Sequence, residues 1–435
     1  MAYLQRNASS AGDRKKSTMS VWIKPNIQSS SVTMISCWSA DNVAGHFVWR
    51  IKSDGTIGWS RWSDDSYSTR KLLDENAWYH CVIAVDTTQA TASDRIKLYV
   101  NNEQITSFSV GPNYPAQNTD LPICGANAHT IGLNNYSSSG SQFKGYMSHF
   151  HLVDGTTLTP SAFGSTDATT GEWQINTSPS VTYGTNGFFM FKDDNSANDD
   201  SGQGNNFTLN GTLPKSEDNP SNVFATWNPL WSASNGNVGD VTFSNGNTTT
   251  TTSSSYRTTP TTLGMKSGKY YWEIKRNSTS SGDTHFGVMS ENATPANTAT
   301  WIGNAANGWV MAGDNGERYT GGSSGGVLSN GTVGSGAIFM GAYDGATGKL
   351  YFGVNGTWAG TANPSTGANA HYTLDTSLIY FPCVSTGSDV SANFGNGYFG
   401  TTAVSSAGTN ASGIGIFEYD VPTGYTALCT KGLNE

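Results

Sequence analysis

Charge is scarce in this chain: only 13% of its 435 residues are Asp, Glu, Lys or Arg, and the formal net charge is −9. Lys and Arg do not cluster beyond the short run Arg14, Lys15, Lys16, which reads as a solvated patch. Binding to phosphate-rich partners needs grouped positive charge, so the composition argues against nucleic acid and against an anionic membrane. Long apolar runs are missing too. No window approaches the roughly 20 apolar residues of a transmembrane helix, and residues 1–6 hold no stretch suited to an export signal. The expectation is a protein made and assembled in a cytosol. Cysteine is rare and odd in number: Cys37, Cys81, Cys124, Cys383 and Cys429 lack paired metal-ligand spacing. They read as buried free thiols rather than a disulfide framework. Heptads, Gly-x-y triplets and fixed-length repeats are absent, which leaves no recognisable fibre shaft.

What is plentiful is glycine, with 51 residues, and aromatic bulk, with 19 Tyr, 18 Phe and 13 Trp. Each aromatic buries about 150–250 Å², so a core is affordable despite a hydrophobic content of 36%. Many Gly, Ser, Thr and Asn between aromatic and β-branched residues describe short strands joined by tight turns, not long helices. The chain is too long for one ordinary core, and two large domains fit best.

Alternation is clearest over 95–108, where Ile96, Leu98 and Val100 share a face, Asn101-Asn102 turns, and the chain returns through Ile105. A second hairpin covers 47–62, with Phe47, Trp49 and Ile51 leading into an Asp54-Gly55 turn and a return through Ile57 and Trp59. Further strands are expected at 19–24, 79–86, 144–153 and 187–191. Between Asn228 and Asp240 periodicity gives way to Asn, Gly, Ser and Pro, which puts the domain boundary there: 1–230 and 231–435. Beyond it, Tyr270, Trp272 and Ile274 alternate with polar neighbours, 338–343 and 349–354 flank Gly345, and Asn355-Gly356 is a hairpin turn. The threonines of 248–252 read as a polar edge strand.

These residues resemble known families. "MSVWIKP" (19–25), "WYHCVIAVDTTQATASDRIKLYVNNEQITSF" (78–108) and "IGLNNYSSSGSQFKGYMSHFHLVDGTTLTPSAFG" (131–164) resemble laminin-G-like, concanavalin-type jelly rolls. "GTTLTPSAFGSTDATTGEWQI" (155–175), "YGTNGFFMF" (183–191), "DDSGQGNNFTLNG" (199–211) and "DNPSNVFATWNPL" (218–230) resemble text that recurs in structural proteins of aquatic tailed phages. The second half resembles a SPRY domain through "SGKYYWEI" (267–274), "HFGVM" (285–289), "AIFMGAYDGATGKLYFGVNGTW" (337–358) and "YFPCVSTGSDVSANFGNGYF" (380–399). The closing "VPTGYTALCTKGLNE" (421–435) is similar to the exit of phage-borne SPRY domains. Such phage proteins often continue into further domains past this segment, which leaves the position in a particle open. The resemblance implies an all-β chain of two consecutive antiparallel β-sandwich (jelly-roll) domains. It further implies a tailed-phage virion surface protein, either a head decoration or a tail or fibre appendage.

Glycoside hydrolysis needs two carboxylates across the scissile bond, and hydrolases on this jelly-roll scaffold carry Glu-x-Asp-x-x-Glu. The nearest approach, Glu418-Tyr419-Asp420, has Thr423 at the third position, and no enzyme is expected. His149 and His151 share a strand face and could clip a metal if a third ligand arrived, but read as a half-buried strand face. Asp193, Asp194, Asp199 and Asp200 offer oxygens of the kind calcium takes; Asx-rich turns look the same and are the favoured reading, so no cofactor is expected beyond this weak calcium candidate. Sugar binding is the chemistry retained. A pyranose has one apolar face, and a glycan site offers it an aromatic plane beside polar groups. Trp59, Trp62 and Tyr67 form one candidate cluster, and Trp301, Trp309 and Trp358 a second, although tryptophan at alternating strand positions is more often core. The expected partners are host-surface glycans and other virion proteins, with homo-oligomers in the particle. The expected location is the virion surface after assembly in the host bacterial cytoplasm. A polysaccharide depolymerase on a lectin-like scaffold and a bacterial adhesin are the alternatives.

Overall fold

In the computed structural model, the described residues are 2–26, 30–135, 141–192, 196–213, 215–234, 241–252, 257–278, 284–294 and 301–434. Their regular structure is almost all strand, joined by turns and loops; Pro229–Ser234 is the one α-helix among them. The chain divides into two compact units, Met1–Lys215 and Ser216–Glu435, and each is an antiparallel β-sandwich.

The first unit packs an eight-stranded sheet on a six-stranded one. The larger runs Phe108–Val110, Asp64–Lys71, Thr56–Arg61, His46–Ile51, Val32–Trp38, Ala128–Ile131, Tyr3–Asn7, Thr208–Asn210. The smaller runs Phe188–Met190, Gly145–Asp154, Lys16–Pro25, Tyr79–Asp86, Ile96–Val100, Glu103–Gln104. Alternation decides which side chains meet between them. Met19, Val21 and Ile23 from one sheet face Cys37, Phe47, Trp49, Ile57 and Trp59 from the other, all fully buried. Both expected hairpins form, and Asn101 and Asn102 take the positive φ values, 50° and 69°, that a tight two-residue turn requires.

The second unit repeats the plan with a nine-stranded and a six-stranded sheet. Tyr270, Trp272 and Ile274 of Lys269–Arg276 and Phe339 of Ile338–Asp344 meet Phe286 and Val288 of Thr284–Ser290 in its core. One short pairing is parallel, Tyr270–Tyr271 beside Thr426–Ala427. All five cysteines are buried and free.

Two sequence expectations need correction. The break between units falls at Lys215/Ser216, not between 228 and 240. The text "DNPSNVFATWNPL" already belongs to the second unit: Phe224 bridges Cys429, Ala225 N–H donates to Leu428, and Trp227 is fully buried beside Phe394. Thr249–Thr252 is not an edge strand, because it lies between Val241–Ser244 and Val390–Asn393; Thr250 and Thr252 point to the buried face, while Thr251 is exposed.

The outer faces of three sheets carry a second layer. In the first unit, residues 155–187 cross the outside of the six-stranded sheet and bury Phe163 and Tyr183 against Val153 and Phe189. In the second unit, the C-terminal segment buries Phe417, Val421, Tyr425 and Cys429 on Tyr271, Met340 and Tyr351 of the nine-stranded sheet. Trp301 and Trp231 pack with Met289, Val310 and Cys383 on the outside of the six-stranded sheet there.

Candidate functional site

The outer face of the eight-stranded sheet in the first unit gathers aromatic and charged side chains without sealing all of them. Trp59 points into the core, so Ser60 points outward; Trp62, one residue past the strand end, is placed on this outer face by its contacts with His46. The register aligns Trp38 with His46, Val48 with Ser60, Arg50 with Gly58, and Gly58 in turn with Tyr67. Directly opposed residues share a face, so Trp38, His46, Arg50, Tyr67 and, opposite Ser60, Asp65 all look outward.

Trp62 is the one tryptophan among the described residues that ranks as exposed, at 36%. It sits in the tight turn after Thr56–Arg61 with φ of 59°, a left-handed conformation that bulky residues rarely adopt. Its backbone N–H donates to His46 Nδ1 at 2.9 Å, and its ring meets the His46 ring edge-on at 6.0 Å. His46 is 5% exposed, and the neighbouring Asn134 side chain favours its charged form. Burial pushes its pKa below the usual imidazole value; Asn134 acts against this. Ser36 fixes the approach of Asn134, since its hydroxyl donates to Leu133 O and accepts from Asn135 N. Behind the turn, Arg61 pairs with Asp64 at 2.9 Å, and Trp38 Nε1 donates to Asp41 at 3.0 Å.

Further along the same face, Arg50 reaches across residue 58 to Tyr67. Only glycine fits at 58, because a Cβ there would lie 1.8 Å from the backbone Ser66 O, and no side chain stands between Arg50 and Tyr67. Arg50 Nε donates to the Tyr67 hydroxyl, its guanidinium lies 5.5 Å from the Tyr67 ring centre, and Lys52 Nζ lies 4.9 Å from the same ring. Asp65 stands 3.7 Å from Arg50. Tyr67 is 1% exposed, and burial pushes its phenol up to about 12, so it stays protonated. Four residues of strand separate the levels of Trp62 and Gly58, about 13 Å. The face can therefore offer one indole surface to an apolar sugar face, with Arg50 and Asp65 as polar contacts further along an elongated ligand.

The first predicted cluster is split by this geometry. Trp62 is on the face, Tyr67 is beneath Arg50 and Lys52, and Trp59 is on the opposite side of the sheet, fully buried against Phe108 and Tyr114. Trp59 lies in the core while Trp62, on the turn past the strand end, meets His46 on the outer face, so the two do not form one platform. The second cluster separates further. Trp301 stacks on His285 at 4.4 Å and meets Tyr319 edge-on; Trp309 packs on the inner core beside Tyr380; Trp358 packs on the outer layer beside Tyr271. All three are half-buried, and they lie in three different hydrophobic clusters.

The calcium candidates resolve differently from one another. Asp193 and Asp194 lie outside the described residues. Asp199 is saturated by backbone: its carboxylate accepts from Phe189, Ser201 and Asn205 N–H at 2.8–2.9 Å, which makes it a loop clamp rather than an available ligand. Asp200 is exposed on the same turn. His149 and His151 are both buried, their ring centres 6.4 Å apart at a bulge in the strand pairing, and bond Ser148 and the Tyr183 hydroxyl. No group of three His, Cys, Asp or Glu among the described residues could hold a metal ion. Glu418 binds Ser405 and Asp420 binds Thr409, so both tie down loops.

Sequence reasoning missed His46, Arg50 and Asp65. The observed hairpin closes through the three-residue loop Ser53-Asp54-Gly55, which sets Arg50 opposite Gly58; a two-residue Asp54-Gly55 turn would have set it opposite Trp59.

Residues 2–163 match Laminin_G_3, the concanavalin A-like lectin/glucanases superfamily. No curated protein matches the chain. Among solved structures, the SPRY domain of human HERC1 is similar at 18% identity over 38% of this chain and 96% of that one, with a TM-score of 0.30. The TRIM65 PSpry domain is similar at 14% identity over 39% and 91%, with a TM-score of 0.29. The native heptameric SAP-like pentraxin of Limulus polyphemus is similar at 18% identity over 37% and 72%, with a TM-score of 0.27. The first unit thus carries a concanavalin-type, lectin-like domain, a class that suggests carbohydrate or protein binding. SPRY-type domains stand among the chain's structural neighbours.

Proposed function

We propose that this chain is a non-enzymatic adhesion protein on the surface of a tailed-phage particle, as a head decoration or a tail or fibre appendage, and that it binds host-surface glycans through the Trp62 face. The observation that carries the binding reading is the solvent-facing indole of Trp62, held in a left-handed turn on the same face as the Arg50–Asp65 pair. A single such platform binds weakly, and repetition in homo-oligomers, docked on other virion proteins, would raise avidity by about 10²–10⁴. The phage assignment is supported by the resemblance of 155–175, 183–191, 199–211 and 218–230 to phage structural text. A binding role rather than bond cleavage is supported by the pairing of the face's carboxylates, Asp64 with Arg61 and Asp65 with Arg50.

Glycan-array binding by the full chain tests the site. Trp62→Ala should abolish binding with the fold intact, Trp358→Ala should leave binding unchanged, and Trp59→Ala should lose the fold itself. Retention of binding in Trp62→Ala would refute the site. Mass spectrometry of purified particles tests the location, with copy number separating decoration from tail part, and absence from particles would refute it. Reducing-end release from a bound polysaccharide would refute the non-enzymatic reading.

A further inference from the structure

The turn that presents Trp62 is held by an acceptor that a proton can remove. A backbone N–H can only donate, so the 2.9 Å contact from Trp62 N to His46 Nδ1 requires that nitrogen to be bare. The neutral ring then carries its proton on Nε2. A protonated imidazole has N–H on both nitrogens and would point one of them at the N–H of Trp62. We propose that His46 is a pH-operated latch for the Trp62 platform: the neutral ring holds the left-handed turn, and the protonated ring lets it go.

Several features favour this role. Trp62 at φ 59° is in a conformation that needs outside support, and the contact from His46 is what bridges the turn to the neighbouring strand His46–Ile51. The ring contact at 6.0 Å couples the orientation of the indole to the same imidazole. The groups facing His46 are known from each element around it. Arg50 on its own strand disfavours the charged ring, as does burial; Asp41 from the loop after Val32–Trp38 and Asp65 from Asp64–Lys71 favour it, as does Asn134. Arg61 and Asp64 at the base of the turn neutralise each other. The latch therefore opens at a pH below the usual imidazole value, once protonation outweighs burial. Loss of one hydrogen bond of this kind shifts the held-to-released equilibrium by about tenfold. By linkage, a sugar stacked on the held indole would resist protonation of His46 by the same factor that protonation weakens its binding.

The proposal rests on the reading of Trp62 as the contact surface, yet its test needs no sugar. The full chain is labelled with 5-fluorotryptophan, the Trp62 resonance is assigned by Trp62→Phe, and its shift is followed from about pH 8 to about pH 5. The expected result is one inflection below the normal imidazole range that vanishes in His46→Gln. Asn134→Ala, which keeps the imidazole but removes a neighbour that favours its charged form, should move the inflection lower still. A flat resonance in the wild-type chain, or an inflection that survives His46→Gln, overturns the latch. Should His46→Gln fail to fold, an inflection unmoved by Asn134→Ala overturns it instead. A failed glycan screen alongside a titrating Trp62 removes the sugar reading and leaves the latch standing; sugar binding with a flat Trp62 does the reverse.

Discussion

Acid should unfold the first unit well before the second. Burial pushes His80 down to about 3 and His129 to about 4, and His151 lies well below the ordinary value for the same reason. His80 is held neutral by specific bonds as well: Trp173 Nε1 donates to its Nδ1 at 3.0 Å, its Nε2 contacts the Ser20 hydroxyl at 2.8 Å, and Trp22 stacks on it. An unfolded chain titrates these rings near 6.5, so below that pH the unfolded state takes up protons that the folded state refuses. Stability is therefore full above about pH 6.5 and falls as pH drops toward the folded values, by about 1.4 kcal/mol per ring per unit. At pH 4.5, His80 and His129 together cost about 5 kcal/mol, and His151 adds to the loss. That is a large share of the roughly 5–15 kcal/mol that holds a domain together. The second unit has His285 and His371, both lowered to about 4 by burial, but it also buries Glu273, whose pKa burial raises to about 7. A carboxyl raised in the folded state has the opposite sign: it gains stability as pH falls from about 7 toward 4.5, here about 2–3 kcal/mol, offsetting half of the histidine cost. Scanning calorimetry between pH 7 and pH 4.5, with hydrogen exchange by peptide to assign each transition, should show the first unit's Tm falling by about 10–20 °C and the second's by about half as much. Equal shifts, or a larger fall in the second unit, would refute the reasoning.

Two further outcomes follow from single side chains. Glu273 accepts from Glu418 N, Tyr419 N, the Tyr271 hydroxyl and Asn393. Glu273→Gln, with a donor in place of one acceptor oxygen, should cost about 1–3 kcal/mol in urea unfolding near neutral pH and expose 405–420 to limited proteolysis. Asp199→Ala strands three backbone N–H groups and should cost about 2–4 kcal/mol, while millimolar calcium or EDTA leaves the wild-type Tm unchanged; a calcium-dependent rise in Tm would restore this loop as a metal site.

Most strands could be read from alternation because each is a local pattern. Ile96, Leu98 and Val100 lie on one face before an Asn-Asn turn, and nothing beyond those residues is needed to place them. The boundary was not legible for the opposite reason. Phe224 to Trp227 make their partners at Cys429, Leu428 and Asn247, far along the chain or across a loop, and in sequence they look like the Asn- and Pro-rich text around them. Half of the candidate site was legible: Trp62 and Tyr67 were chosen for their chemistry, and Trp59 was included although its alternation with Ile57 already placed it on the core face of its strand. His80 and Glu273 were passed over, and His151 was read as a half-buried strand face, because polar residues on the outward face of a strand normally meet water. Here a second layer of chain covers them, and that layer is a tertiary fact.

That second layer bears on what the phage-like text does. The stretch 155–191 supplies Phe163, Trp173 and Tyr183, and it uses them to close the outside of the six-stranded sheet over His80 and His151. The C-terminal text closes the nine-stranded sheet in the same manner, with Glu273 as its buried anchor for Glu418 and Tyr419. Residues spent in this way cannot also meet a ligand. A sheet whose outer face is covered gains rigidity and loses its surface, so recognition is left to faces where aromatic groups stay in solvent. In the first unit that condition is met where Trp62 stands beyond the end of its strand, on a turn whose side chain no other layer needs.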